Sequence, residues 1–213
     1  MKPEDWLERW QENRIGFHEA EPNPRLVENY RALNDTIRVL VPLCGKSVDL
    51  EWLAVHGLEV VGVELSEKAA QAFFAERNIA PERSERGAFI EYRHGAIRIL
   101  VGDFFDTSAE ELEYFDAVYD RAAMIALPPD LRARYVAHLP SLLAPKAKLL
   151  LVTLFYDAEG GPPFAIAPEE IAASYPQARV TQLASHDDRV NFPGPIERGA
   201  SFVHENVHLV EFP

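Results

Sequence analysis

Chemistry in this sequence concentrates first in Pro42-Leu43-Cys44-Gly45-Lys46-Ser47, a loop between an apolar run and a helical pattern. A phosphate-cradling loop needs Gly, four residues, then Gly-Lys-Ser/Thr, because its glycines let backbone N–H groups close around the anion. Gly45-Lys46-Ser47 supplies the second half, but the first glycine position holds Leu40, so the cradle is incomplete. A Gly-x-Gly-x-x-Gly dinucleotide loop is also absent. An acid follows nonetheless. Glu64 closes Val60-Val61-Gly62-Val63-Glu64, about 20 residues beyond the loop, where a carboxylate can accept hydrogen bonds from both ribose hydroxyls. Loop and acid together point to a nucleoside.

Other reactive side chains carry less. Cys44 would need a base or a positive neighbour to act as a nucleophile, and Lys46 could serve. Packing within a tight loop is the reading adopted for it. His204-x-x-x-His208 has metal-like spacing for a helix. On a strand the pair shares a face, and no third ligand accompanies it, so no metal is expected. Trp6 and Trp10 stand four apart and share one helical face. They can lie over a ligand or be buried against the core.

The elements that must position these residues alternate. Pro3 to Asn13 and Arg25 to Leu33 read as helices, separated by Glu21-Pro22-Asn23-Pro24. Ile37 to Val41 reads as a buried strand, Val48 to His56 as a helix ending at Gly57, and Glu59 to Glu64 as a strand. Ser66 can cap a helix from Glu67 to Arg77. Strand, loop, helix, strand, helix is the signature of a parallel sheet. Phe89 to Arg93 and Ile97 to Val101 flank a hairpin-like His94-Gly95. Asp116 to Asp120 and Lys148 to Phe155 are further strands, and between them a helix starts after Pro128-Pro129 and carries Arg132 to Leu143. After the Gly160-Gly161-Pro162-Pro163 loop, Pro168 opens a short helix to Tyr175. Arg179 to Ser185 and Phe202 to Phe212 are expected as antiparallel additions at the sheet edge.

Composition narrows the class. The 213 residues suffice for one large domain with a sizeable core. The net charge of −13 argues against a nucleic-acid or anionic-membrane partner, which would require clustered Lys and Arg. The single cysteine forbids an internal disulfide and permits a reducing compartment. The N-terminus is polar and acidic, unlike a signal peptide, and no apolar run is long enough to span a bilayer. A cytoplasmic monomer is expected.

The usual methyltransferase loop, an acid followed by Gly-x-Gly-x-Gly, matches poorly. Its acid would fall on Val41 and its glycines on Leu43, Gly45 and Ser47. More specific stretches run through the chain in one order. They are Trp6-x-x-x-Trp10, Ile15-Gly16-Phe17-His18, Pro42-Leu43-Cys44-Gly45-Lys46-Ser47-x-Asp49 and Val61-Gly62-Val63-Glu64-Leu65-Ser66-Glu67. Phe73-Phe74-x-Glu76, Gly102-Asp103-Phe104-Phe105, Tyr119-Asp120-Arg121-Ala122-Ala123-x-Ile125-Ala126-Leu127-Pro128-Pro129 and Gly161-Pro162-Pro163-Phe164 follow. In these the chain resembles the thiopurine S-methyltransferase family in its bacterial form, whose Pro-Leu-Cys-Gly-Lys-Ser replaces the generic glycine motif.

The resemblance implies a Rossmann-like class I methyltransferase sandwich. Its sheet would be mostly parallel with antiparallel C-terminal edge strands, and residues 1–34 would form a helical cover. It implies methyl transfer from S-adenosyl-L-methionine to aromatic or heterocyclic thiols, with selenium or tellurium species or another small nucleophile as alternative acceptors. The family's cofactor positions fall on Trp6, Trp10, Phe17, Leu43, Glu64, Asp103, Phe104 and Arg121. Asp103 and Phe104 would hold adenine, by an acid to the amino group and an apolar wall. Arg121 would face the methyl-transfer position or the methionine part, as the catalytic candidate, with an ion pair to Asp120 as the plainer alternative. Phe17 would meet both cofactor and acceptor, and Arg132 and Arg198 are substrate candidates. The match thins after Phe164, where Ile196-Glu197-Arg198-Gly199 stands in place of the family's frequent Arg-Glu-Arg-Gly.

Overall fold

Buried β-branched runs make the centre of the molecule. In the computed structural model, which describes residues 3–16 and 18–213, β1 (Arg38–Pro42) and β2 (Glu59–Glu64) are almost wholly buried. They pair in parallel, from Arg38 opposite Glu59 to Pro42 opposite Val63. Strands with no solvent face must be covered on both sides, and helices do so. α1 (Pro3–Gln11), α2 (Pro24–Asn29), α3 (Asp49–Val55) and α4 (Glu67–Ala75) precede the hairpin strands β3 (Glu82–Arg86) and β4 (Phe89–His94). β5 (Ile97–Val101), α5 (Ala109–Leu112), β6 (Phe115–Asp120), α6 (Ala123–Ala126), α7 (Pro129–His138) and β7 (Leu143–Tyr156) follow. The chain closes with α8 (Pro168–Ser174), β8 (Arg179–Asp187), α9 (Pro193–Glu197) and β9 (Val203–Glu211).

The sheet runs β3-β4-β5-β2-β1-β6-β7-β9-β8. Its five central strands, β5 to β7 in space, are parallel, and an antiparallel pair flanks them at each edge. This is the Rossmann-like class I sandwich expected, with its C-terminal antiparallel edge. The chain winds outward from β1 through β2 to β5, then returns to β6 on the other side of β1. That reversal opens a crevice at the carboxyl end of β1, where the 42–47 loop lies. One apolar cluster fills each face of the sheet. The first centres on Leu149, Leu151, Tyr135 and Ile171, the second on Leu26, Leu50, Phe73 and Leu150.

Local chemistry sets several boundaries. Asn23 Oδ1 accepts the Arg25 N–H and Pro24 opens α2. The expected helix to Leu33 therefore starts on time but tightens into a 3-10 turn at Tyr30–Leu33. Ser66 caps α4 through the Ala69 N–H. The helix expected to Leu143 ends at His138, because Pro140 offers no N–H to continue it. β7 begins at Leu143, five residues before the expected Lys148. β3 was not expected at all. Its sequence, Glu82-Arg83-Ser84-Glu85-Arg86, is charged and exposed, which suits an outer strand that must not attract another sheet.

Candidate functional site

A cavity of about 990 Å³ opens over the carboxyl ends of the parallel strands. The 43–48 turn forms its floor. Leu43 has φ +50°, the left-handed conformation that the generic motif assigns to glycine. Gly45 follows at φ +55°, and a Cβ there would meet Trp10 Cζ2 at 3.2 Å. The Trp10 indole, 5% exposed, thus lies on the loop. Cys44 points the other way, so close to β2 that a Cβ on Gly62 would come within 2.6 Å of its Sγ. Burial, then the Glu64 charge, pushes its thiol well above the ordinary range. A thiol held neutral is packing, as expected.

Glu64 ties strand to loop. Its Oε2 accepts the Gly45 N–H and its Oε1 the Ser66 N–H, each at 2.8 Å. Burial raises its pKa, while the Ser66, Gly45 and Leu65 N–H groups oppose the rise. Each carboxylate oxygen has a further lone pair, so the clasp leaves room for ribose hydroxyls. Glu64 lines the cavity with Leu43, Gly45, Asp103, Phe104, Trp6 and Trp10. Asp103 spends Oδ1 on the Phe105 N–H and keeps a second oxygen for a ligand. Phe104 is 5% exposed and tilts against Tyr135 at 5.3 Å. Acid, apolar wall, aromatic cover and ribose-side carboxylate together fit an adenosyl group.

Arg121, after β6, lines the same cavity. Its ion pairs are not with Asp120, the plainer alternative. Arg121 Nη1 sits 3.4 Å from Glu19 Oε1, and Nε 3.9 Å from Asp49 Oδ2. Asp120 turns into the protein, where it receives the Ala123 and Met124 N–H groups and the Tyr135 hydroxyl at 2.7 Å. Burial lifts Asp120 to about 6. Asp49, 1% exposed, also binds the Asn23 N–H and the Tyr119 hydroxyl. It thereby joins the segment after α1 to β6 and to the start of α3.

The two substrate arginines separate. Arg198 lines the cavity, with Nη2 donating to Tyr156 Oη at 3.1 Å. Arg132 does not line it; its Nε pairs with Glu170 of α8 at 2.9 Å. The arginine of α7 that does reach the cavity is Arg134, stacked 4.2 Å from the Phe105 ring. On a helix, two residues shift the side chain by more than half a turn, which the resemblance alone could not register. Phe17 lies outside the described residues. His208 is buried on β9, and burial lowers it to about 4. Among the described residues no three His, Cys, Asp or Glu side chains could share a metal ion.

Sequence reasoning left Glu19, Asp49, Arg134, Asp188 and Glu205 without roles. All but Asp49 line the main cavity. Asp49 had a signal, since it closes the Pro-Leu-Cys-Gly-Lys-Ser-x-Asp stretch. The others come together only through tertiary contacts.

Comparison with known proteins agrees with this geometry. A family model described as thiopurine S-methyltransferase matches residues 1–212. A thiopurine S-methyltransferase of Pseudomonas fluorescens is 51% identical, covering 82% of each chain. One of Pseudomonas aeruginosa is 47% identical over 99% of each. Among solved structures, a 1,6-didemethyltoxoflavin-N1-methyltransferase of Burkholderia thailandensis with bound S-adenosylhomocysteine superposes with TM-score 0.67. It is 19% identical and covers 99% of this chain and 86% of its own. Haemophilus influenzae TehB gives TM-score 0.64 at 12% identity, covering 100% and 68%. These two structures support the fold, while the sequence matches carry the family. The chain belongs to the thiopurine S-methyltransferase family and is an S-adenosylmethionine-dependent enzyme.

Proposed function

We propose that this enzyme methylates the sulfur of small aromatic or heterocyclic thiols, thiopurines among them. The supporting observation is one continuous cavity that carries adenosyl-binding chemistry at Glu64 and Asp103 and cationic chemistry at Arg121 and Arg198. The cofactor, when bound, supplies an electrophilic methyl group on a sulfonium. Glu64 accepts the ribose hydroxyls, and Asp103 and Phe104 hold the adenine. Trp6 and Trp10 close over it and exclude water. Arg121 stabilises the acceptor thiolate and holds it in line, and Arg198 contacts the acceptor from the far wall. Residues 1–213 act as one domain, with 1–34 as its cover. Net charge −13 favours a protein free in the cytoplasm, monomeric and without a nucleic-acid partner. No helix of the described residues is long and apolar enough to cross a membrane.

A labelled-methyl transfer assay against aryl thiols and selenium and tellurium oxyanions tests the reading. Transfer to the thiols is expected. Transfer to the oxyanions alone would reassign the acceptor, and transfer to none would overturn the proposal.

A further inference from the structure

A heteroaromatic thiol differs from a simple aryl thiol in where its proton sits. The neutral form is a thione, with hydrogen on the ring nitrogen beside the C=S carbon. Its sulfur becomes a strong nucleophile when that N–H proton leaves. A carboxylate in the acceptor half of the cavity would be suited to take it.

Glu205 is such a group. It sits on β9 opposite Leu154 of β7, 5% exposed, and lines the cavity. Oε2 receives Arg25 Nε at 2.6 Å, whereas Oε1 takes no hydrogen bond from any described residue. Oε1 is not a buried unsatisfied atom but stands open to the cavity, where a ligand N–H can reach it. Asp188, 8% exposed, lines the same cavity and receives Asn191 Nδ2 at 2.6 Å. Burial raises the pKa of Glu205. Arg25 opposes the rise, and Asp188 and Glu19 add to it, so this is a stronger base than a surface glutamate. Arg121 lines the same cavity, so the carboxylate and the arginine border one space open to an acceptor.

Resting on the thiol reading above, we propose that Glu205 Oε1 accepts the ring N–H of a heteroaromatic thione and takes its proton as sulfur is methylated. The N–H pair shifts into the ring C–N bond, and the C=S π pair moves to sulfur. Sulfur then forms its bond to the methyl carbon, whose former bonding pair stays on the leaving sulfur. Thione, carboxylate and sulfonium give methyl thioether, carboxylic acid and thioether, with charge balanced. The Glu205 proton passes to water once the product has left. Glu205 is thus both a catalytic and a specificity-determining residue for acceptors bearing N–H beside the C=S carbon.

The test compares pyridine-2-thione, which has the N–H, with thiophenol, which lacks it, in wild type and Glu205→Gln. Binding is measured by calorimetry with adenosylhomocysteine present, and kcat/KM by methyl transfer. The variant should lose about tenfold or more in binding and in kcat/KM for pyridine-2-thione, with little change for thiophenol or adenosylhomocysteine. Equal losses for both acceptors would make the Arg25–Glu205 pair structural only and overturn the proposal, as would no loss. If the variant does not fold, wild-type binding of pyridine-2-thione against 1-methylpyridine-2-thione decides. A preference of about tenfold for the N–H form is expected, and equal affinity overturns the proposal. A wild-type protein that methylates neither thiol defeats the thiol reading, while these binding arms still report on Glu205.

Discussion

Glu64 illustrates how one side chain serves structure and, in the proposed function, ligand as well. Its two oxygens hold the Gly45 and Ser66 N–H groups, so the proposed ribose acceptor is oriented before any ligand arrives. Glu64→Ala removes the clasp and the ribose contacts at once. Adenosylmethionine affinity measured by calorimetry should fall about 100-fold, the order of two charge-assisted hydrogen bonds. Unchanged affinity would rule out the ribose role of Glu64. The Cys44–Gly62 contact is purely steric. Gly62→Ala places a methyl group 2.6 Å from Cys44 Sγ, and overpacking of this kind costs about 1–3 kcal/mol. Cys44→Ala in that background should restore part of the loss in urea unfolding. A Cys44→Ala change that leaves the loss untouched would refute the contact as its cause.

At the scale of elements, the cover and the loop form one unit. α1 presents Trp10 to Gly45, and Lys68 of α4 donates to the Gln11 carbonyl at 3.0 Å, fixing the end of the helix. Trp10→Ala removes an aromatic wall from the cavity and an indole that is only 5% exposed. Cofactor affinity should drop about tenfold, and the urea midpoint should fall as well because a buried aromatic is lost. Unchanged cofactor affinity would remove the indole from the site. The Trp6/Trp10 stripe and the Ser66 cap were legible because helical spacing and capping are local rules. α6 and α9 were not. Both are too short to show a period, and α9 is Pro193-Gly194-Pro195-Ile196-Glu197, composed as a loop. β3 was hidden for the opposite reason, since its charged alternation carries no apolar signal.

At the scale of the whole molecule, the buried Asp120 couples stability to pH. Its carboxyl is lifted to about 6 from the ordinary 3.8. The folded protein therefore holds a proton that the unfolded chain gives up between those values. Stability from this group is full below the lower value and is lost as pH rises through the higher one. Relative to Asp120→Asn, wild type should lose about 2 kcal/mol of unfolding free energy between pH 4.5 and pH 7.5. Parallel urea curves for the two proteins across that range would refute the charge burial. The network around Asp120 has reach, because Tyr135 packs on Phe104 and the Asp120 cap starts α6, which contributes Ile125 and Ala126 to the cavity.

The sequence by itself determined the alternation of strands and helices, the loop at 42–47, the acid at Glu64 and the family. Each is written in contiguous residues, where period, cap and motif act over a few positions. The proposed adenosyl half was legible for that reason, since it hangs on the ends of β1, β2 and β5. Only the tertiary structure decided the proposed acceptor half. It turned Arg121 from Asp120 toward Glu19 and Asp49, sent Arg132 to Glu170, and brought Arg134 to the cavity wall. It also joined Arg25 to Glu205 across 180 positions of chain. Ion pairs of that kind depend on which faces meet when β9 folds against β7, and no local rule records that meeting.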